Sequence, residues 1–204
     1  MNTALCAQKI SEKGIAMICL RKNHKRAVYY DEEKKQYTKC FTPKLELKLK
    51  YWFGLRQYPG LNFAHIANRL NALGLKTPPV ITAEKYKIIT QEVEAPTLKE
   101  YLQETKDPTI EPRLIELVAT ILNSGIVFFD FHYENFLYKD NEFCVLDLEG
   151  YSDSFFTSRG KSGVLYRIEK HLGTHFREEV ERRWVNVTLS HKISDIFQKL
   201  RGKK

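Results

Sequence analysis

The sequence predicts an α+β fold of two parts, a small antiparallel β lobe followed by a minimal helical lobe. Three observations predict it. Residues 15–41 alternate strand-like runs with polar turns. Residues 109–124 carry an apolar stripe at helical spacing. Residues 125–151 read as a hairpin with oxygen-bearing side chains at its mouth. At 204 residues, with 43% hydrophobic and 12% aromatic side chains, the chain has a globular composition. It is long enough for one large domain or two small lobes sharing a cleft.

The first lobe begins with three antiparallel strands, Ile15–Leu20, Arg26–Tyr30 and Gln36–Phe41, joined by turns at Arg21–Lys25 and Asp31–Lys35. Lys39 lies inside the third strand, where a buried lysine needs a partner. Thr42-Pro43 opens a helix with Leu45, Leu49, Trp52 and Phe53 on one face. Gln57-Tyr-Pro-Gly60 breaks it. Asn62 then caps a second helix with Phe63, Ile66, Ala67, Leu70 and Leu73 on one face, ended by Gly74. Thr77-Pro-Pro79 leads into a strand at Val80-Ile81, a turn at Glu84-Lys85, and a further strand over residues 86–93. Thr97-Leu-Lys-Glu100 is a capping box that starts a short helix. In the next helix, Thr109–Ser124, residues Leu114, Leu117, Val118, Ile121 and Leu122 recur as a core stripe.

The chemistry concentrates after Gly125. Phe136–Tyr138 and Phe143–Leu146 are β-type runs, and the polar turn Lys139–Glu142 between them makes a hairpin. Asp130, His132 and Asn135 precede the first run, and Asp147 follows the second. The hairpin therefore brings Asp130, Asn135 and Asp147 to one edge. Two carboxylates and an amide oxygen suit Mg²⁺, which takes few protein carboxylates and completes its octahedron with water and phosphate.

This arrangement resembles the catalytic and metal loops of the protein-kinase-like fold, in which an Asp base lies five residues before a metal-binding Asn and a second metal-binding Asp follows a hairpin. The D-x-H-x-x-N form resembles small-molecule kinases, and in particular the lipopolysaccharide core kinases that phosphorylate heptose or Kdo. The resemblance covers residues 15–172. It implies a bilobal fold divided near residue 94, with residues 1–94 a nucleotide-binding lobe and 95–204 a catalytic lobe. ATP and Mg²⁺ are expected between them. Asp130 would be the base, and His132 would orient the loop or touch phosphate. Asn135 and Asp147 would hold the metal. Lys39 would bind the α/β-phosphates, with Glu46 its nearby acidic candidate. Glu92 and Val93 would sit in the hinge that offers backbone groups to adenine. Phe128 is expected to pack.

Two departures stand out. No glycine-rich loop lies between the first two strands, where Lys22-Asn-His24 make an ordinary turn. The second helix contains no Glu to pair with Lys39, and His65 is a weaker substitute. The activity implied is transfer of the γ-phosphoryl group of ATP to a sugar, or lipid-linked sugar, hydroxyl. The alternatives are a pseudokinase or regulatory protein that binds nucleotide or a partner without catalysis, and a kinase for another small acceptor.

After Gly150 the sequence places a basic loop with Arg159 and Lys161 near Asp147. An amphipathic helix with Val164, Leu165, Ile168 and Leu172 follows, then a charged stretch over Phe176–Arg183. A terminal amphipathic helix carries Ile193, Ile196, Phe197 and Leu200. The net charge of +8 is uneven. Residues 1–58 hold 13 basic and 5 acidic side chains, residues 59–155 hold 8 and 15, and residues 156–204 hold 12 and 5. The basic ends imply attraction to nucleotide, phosphosugar or anionic inner-membrane lipid; no nucleic-acid recognition motif is present. No apolar run reaches the ~18 residues of a span, and the N-terminus lacks a signal-type core. Cys6, Cys19, Cys40 and Cys144 show neither paired nor metal-type spacing. A reducing cytoplasmic location, with peripheral contact at the inner-membrane face, is the expectation.

Overall fold

The computed structural model describes residues 8–12, 15–153 and 160–187 together with Lys192 and Ile196, with side chains from residue 17 onward. Its contacts divide the chain into two compact units, Met1–Glu94 and Ala95–Lys204.

The first unit is built on a six-stranded antiparallel sheet. Its strands are β1 (Gln8–Glu12), β2 (Ile15–Lys22), β3 (Arg26–Asp31), β4 (Gln36–Phe41), β5 (Val80–Glu84) and β6 (Lys87–Gln91). They lie in the order β1-β2-β3-β4-β6-β5. The polar stretch before Ile15 lacks strand alternation, so β1 was not foreseen. Helix α1 (Leu45–Trp52) follows β4, and helix α2 (Pro59–Ala72) covers β5 and β6. Phe63, Ile66, Ala67 and Leu70 of α2 are buried with Ile88 of β6 and form the core of this unit.

Two helical expectations are corrected here. Helix α2 starts at Pro59, with Tyr58 at its N-cap, and not at a cap on Asn62. Proline at the first helical position has a preset φ and no N–H to leave unsatisfied, so the Pro-Gly pair begins this helix. Gly60 is required there, because a Cβ would lie 2.1 Å from the Glu84 carbonyl oxygen and 2.4 Å from that of Lys87. The second correction concerns α1, which starts at Leu45 with Lys44 at its N-cap and not at Thr42-Pro43. Its face of Leu45, Leu49, Trp52 and Phe53 is exposed, and its buried residue is Tyr51, packed beside Tyr58 and Tyr86.

The second unit opens with α3 (Leu98–Glu104), whose Thr97–Glu100 capping box forms as the sequence predicts. Helix α4 (Ile110–Asn123) buries its whole predicted stripe. A two-stranded hairpin follows, β7 (Phe136–Lys139) and β8 (Glu142–Val145), with Asp140 and Asn141 both at positive φ in the turn. That geometry belongs to the tight hairpin turns whose twist matches the strands. Helices α5 (Lys161–Leu172) and α6 (Thr174–Arg183) complete the unit. Stretch 176–183 proves helical: Phe176 and Val180, four residues apart, are buried, and Trp184 closes the same side. Asn123 receives the Val185 and Asn186 amides at 3.0 Å each and fixes the exit from α6 to the end of α4.

Arg159 and the terminal amphipathic stretch lie outside the described residues, save that Ile196 is helical and exposed. Among the described residues no helix is long and apolar enough to cross a membrane.

Candidate active site

Helix α4 delivers the chain into Ile126-Val127-Phe128, all buried. Val127 and Ser152 exchange two backbone hydrogen bonds of 2.8 Å, which tie the approach to Asp130 to the segment leaving Asp147. Phe128 stacks on Tyr151 with centroids 4.4 Å apart and rings 5° from parallel, and its other neighbour is Phe131 at 4.2 Å. Phe128 is thus a packing residue, as expected. Phe131 is fully buried while its neighbours Asp130 and His132 are exposed. One apolar anchor therefore presents two polar side chains to solvent.

The loop is closed by its own asparagine. The chain makes a 3-10 turn at Tyr133–Asn135. The Asn135 side-chain amide donates to the Asp130 carbonyl at 2.8 Å. That assignment engages Nδ2 and leaves Oδ1 as the end suited to a cation. The Leu146 amide donates to the Asn135 carbonyl at 2.9 Å, which sets the end of β8 beside Asn135. Asp147 comes next, at φ 56 and ψ 39. A left-handed conformation costs a non-glycine residue about 1–2 kcal/mol, and Asp and Asn tolerate it best. A second 3-10 turn, Leu148–Gly150, follows directly. Two strained or tight segments thus hold the loop ends together through named hydrogen bonds.

His132 Nε2 lies 3.1 Å from Asp130 Oδ1. Its ring meets the edge of His171, from α5, at 4.2 Å. Burial holds the His171 pKa below its ordinary value; His132, Lys170 and Arg167 push the same way, and Asp130 opposes them. The hydroxyl of Tyr151 is driven far up, first by burial and then by the carboxylates of Asp147, Asp130 and Glu149. Three carboxylates therefore act on one buried phenol, and negative potential converges at this corner. Among the described residues, no three His, Cys, Asp or Glu side chains are arranged as a ready-made metal cage. The donor set still fits Mg²⁺, which usually binds through one or two carboxylates plus phosphate and water. His171, Tyr151 and Glu149 were not foreseen. Glu149 could have been found from its place two residues after Asp147, but only packing brings His171 to the loop.

In the first unit, Lys39 sits on β4 between Val28 of β3 and Ile88 of β6. Its ammonium lies 5.9 Å from the centroid of Phe63, on α2. Helix α2 carries no acidic side chain. Glu46 is exposed and bound to Lys50 at 3.0 Å, within its own helix, which lowers its pKa. The Glu92 carboxylate accepts from the Tyr30 hydroxyl at 2.6 Å, and that bond pushes the Tyr30 pKa up to about 12. The Glu92 amide donates to the Lys35 carbonyl at 2.8 Å. Val93 continues the chain toward Glu94, which is paired with Lys35. The turn between β2 and β3 is closed by Asn23, whose side-chain oxygen accepts from the Lys25 and Arg26 amides at 2.8 and 2.9 Å. Those amides are engaged, so this turn is no backbone cradle for phosphate.

The sequence matches no established protein-family profile and no curated protein. Solved structures do match. A ternary complex of streptomycin, ATP and APH(2")-IIa aligns with 93% of this chain and 88% of its own, at 12% identity and TM-score 0.53. The fold is protein-kinase-like. The Rio2 kinase from Chaetomium thermophilum, as an ADP/Mg²⁺-phosphoaspartate complex, aligns over 98% of this chain and 68% of its own, at 13% identity and TM-score 0.51. The expected fold class is thereby met, and identities this low speak to fold alone.

Proposed function

We propose that this chain is an ATP-dependent phosphotransferase acting on a sugar hydroxyl, with a lipopolysaccharide inner-core heptose or Kdo as the acceptor class. The observation that carries it is the locked trio Asp130, Asn135 and Asp147, held by the Asn135–Asp130 and Leu146–Asn135 hydrogen bonds. Neighbours of the same fold were solved with ATP and with ADP and Mg²⁺, which supports the nucleotide and metal.

In this reading Asn135 Oδ1 and the Asp147 carboxylate would hold Mg²⁺, which when bound would supply positive charge to the phosphates. Asp130 receives the proton of the acceptor hydroxyl as that oxygen bonds to the γ-phosphorus and the β,γ-bridging bond of ATP breaks. His132 holds the Asp130 carboxylate in one orientation. Lys39 supplies charge to the α/β-phosphates, and the Val93 backbone takes the adenine-facing role, since the Glu92 amide and side chain are engaged. Because phosphoryl transfer is mostly positioning and charge neutralisation, these few groups suffice chemically. The acceptor class rests on the D-x-H-x-x-N resemblance.

A second reading is favoured by a specific observation. Helix α2 carries no acidic side chain, and the Asn23 side chain already holds the Lys25 and Arg26 amides of the β2–β3 turn. These features suit a pseudokinase that binds nucleotide without transfer. Calorimetric titration with ATP, with and without Mg²⁺, followed by transfer of γ-labelled phosphate to a panel of core sugars, decides between them. Phosphotransferase activity predicts Mg²⁺-dependent binding and labelled acceptor. Binding with no label in any acceptor and no ATP hydrolysis favours the pseudokinase.

A further inference from the structure

Helix α1 has two apolar faces, and among the described residues only one is covered. Leu47 and Tyr51, four residues apart, point inward, and Tyr51 is buried. Leu45, Leu49 and Trp52 follow the i, i+4, i+7 spacing, so they share a face about 150° round the helix from the inward pair. Their exposures are 73%, 45% and 75%, and Phe53, just past the helix, is 68% exposed. The Trp52 and Phe53 rings touch, with centroids 5.2 Å apart. Leu55, also exposed, extends the patch. Isolated exposed apolar residues need no explanation, but five within eleven positions form a patch that marks an interaction surface.

The flanks decide the partner. Lys44, Lys48, Lys50 and Arg56 surround the patch and are all exposed. The single acid, Glu46, is bound to Lys50. A Trp/Phe/Leu face rimmed by lysines is the composition of helices that lie in a membrane interface. Tryptophan favours the headgroup level, and lysine stems can reach upward while their ammonium groups stay among phosphates. We infer that α1 is a docking element for an anionic bilayer surface, with Leu45, Leu49, Trp52 and Phe53 inserted at the headgroup boundary and Lys44, Lys48 and Arg56 on lipid phosphates. The inference stands apart from the phosphotransfer reading, which assigns α1 no part. A protein engaged in this way works at the membrane plane, where a lipid-linked acceptor would be found.

The chain holds two tryptophans, and Trp184 is buried, so a change in emission on docking reports Trp52. The full chain is titrated with phosphatidylglycerol/phosphatidylcholine vesicles at low salt. The expected result is a blue shift of emission, quenched by acyl-brominated lipid, and weak binding to pure phosphatidylcholine. Leu45→Ser/Leu49→Ser, which leaves Leu47 and Tyr51 in place, lowers vesicle affinity at least about tenfold with an unchanged circular dichroism spectrum. Lys44→Gln/Lys48→Gln lowers it about fivefold per lysine. Three results each overturn the inference: no binding to anionic vesicles, binding without a shift in Trp52 emission, or binding unaffected by the leucine pair. A concentration-dependent dimer that the leucine pair abolishes, in the absence of vesicle binding, assigns the patch to a second copy of the chain instead.

Discussion

Gly60→Ala tests how the first unit holds α2 against its sheet. The added methyl group would meet the Glu84 and Lys87 carbonyl oxygens at 2.1 and 2.4 Å. Both distances fall more than about 1 Å short of ordinary contact, and both obstacles are backbone in the β5–β6 turn. No side chain can swing aside, so helix or turn must move. Overpacking of this kind costs about 1–3 kcal/mol, and backbone obstacles put it at the upper end. Alanine returns about 0.5–1 kcal/mol of helix preference. The net loss is about 2 kcal/mol, or a fall in Tm of about 10 °C for a unit of this size. Gly74→Ala is the control: that residue has φ +78 with nothing within 4 Å of a Cβ, so it incurs only the left-handed strain of about 1–2 kcal/mol. Urea and thermal unfolding followed by circular dichroism measure both. The strain at Gly60 also reaches Phe63, one turn further along α2 and 5.9 Å from the Lys39 ammonium. A Gly60→Ala protein as stable as the parent would refute the close packing of α2 on the β5–β6 turn.

The remaining predictions concern the site. Asp147→Asn keeps a residue that accepts the left-handed conformation, so the fold survives and Mg²⁺-dependent ATP affinity falls at least about tenfold; unchanged affinity by calorimetry would remove Asp147 from the metal. Lys39→Ala removes one charge from the phosphates and weakens ATP binding by about 1 kcal/mol or more, whereas equal affinity would remove Lys39 from the phosphates. His171 should titrate below its ordinary value in NMR spectra, and His132→Ala should raise its pKa by removing a neighbour that disfavours its charge. Because the folded-state pKa is lowered, its contribution to stability is present above the unfolded pKa and is lost as pH falls through the folded one. An unshifted His171 would argue against the His132–His171 contact.

Much of this molecule was legible where local chemistry decides structure. The Thr97–Glu100 capping box, the α4 stripe and the β7–β8 hairpin each follow from side chains that meet their partners within a few residues. The α2 start misled because Pro-Gly is a turn signal as well as a helix opening, and only the β5–β6 backbone lying against Gly60 shows why glycine is there. Helix α1 shows a different limit: periodicity locates a face but does not say whether protein covers it, and Leu47 with Tyr51 makes the inward face. Helix α6 was hidden because charged residues outnumber its two buried anchors, Phe176 and Val180. Asp130, Asn135 and Asp147 are near in sequence or joined by a hairpin, so spacing is enough to predict that their loops meet. His171 arrives from α5 through tertiary packing, which no local pattern encodes.

The central claim is that Asp130 faces a reacting hydroxyl on a phosphotransferase. The direct measurement is single-turnover transfer of γ-labelled phosphate to a core-sugar acceptor by the parent protein and by Asp130→Asn, with Mg²⁺-ATP affinity measured on both. A general base at Asp130 predicts nearly equal affinity and a rate at least ~10²-fold lower for Asp130→Asn, the scale of general-base loss. Equal transfer rates in the two proteins would contradict it.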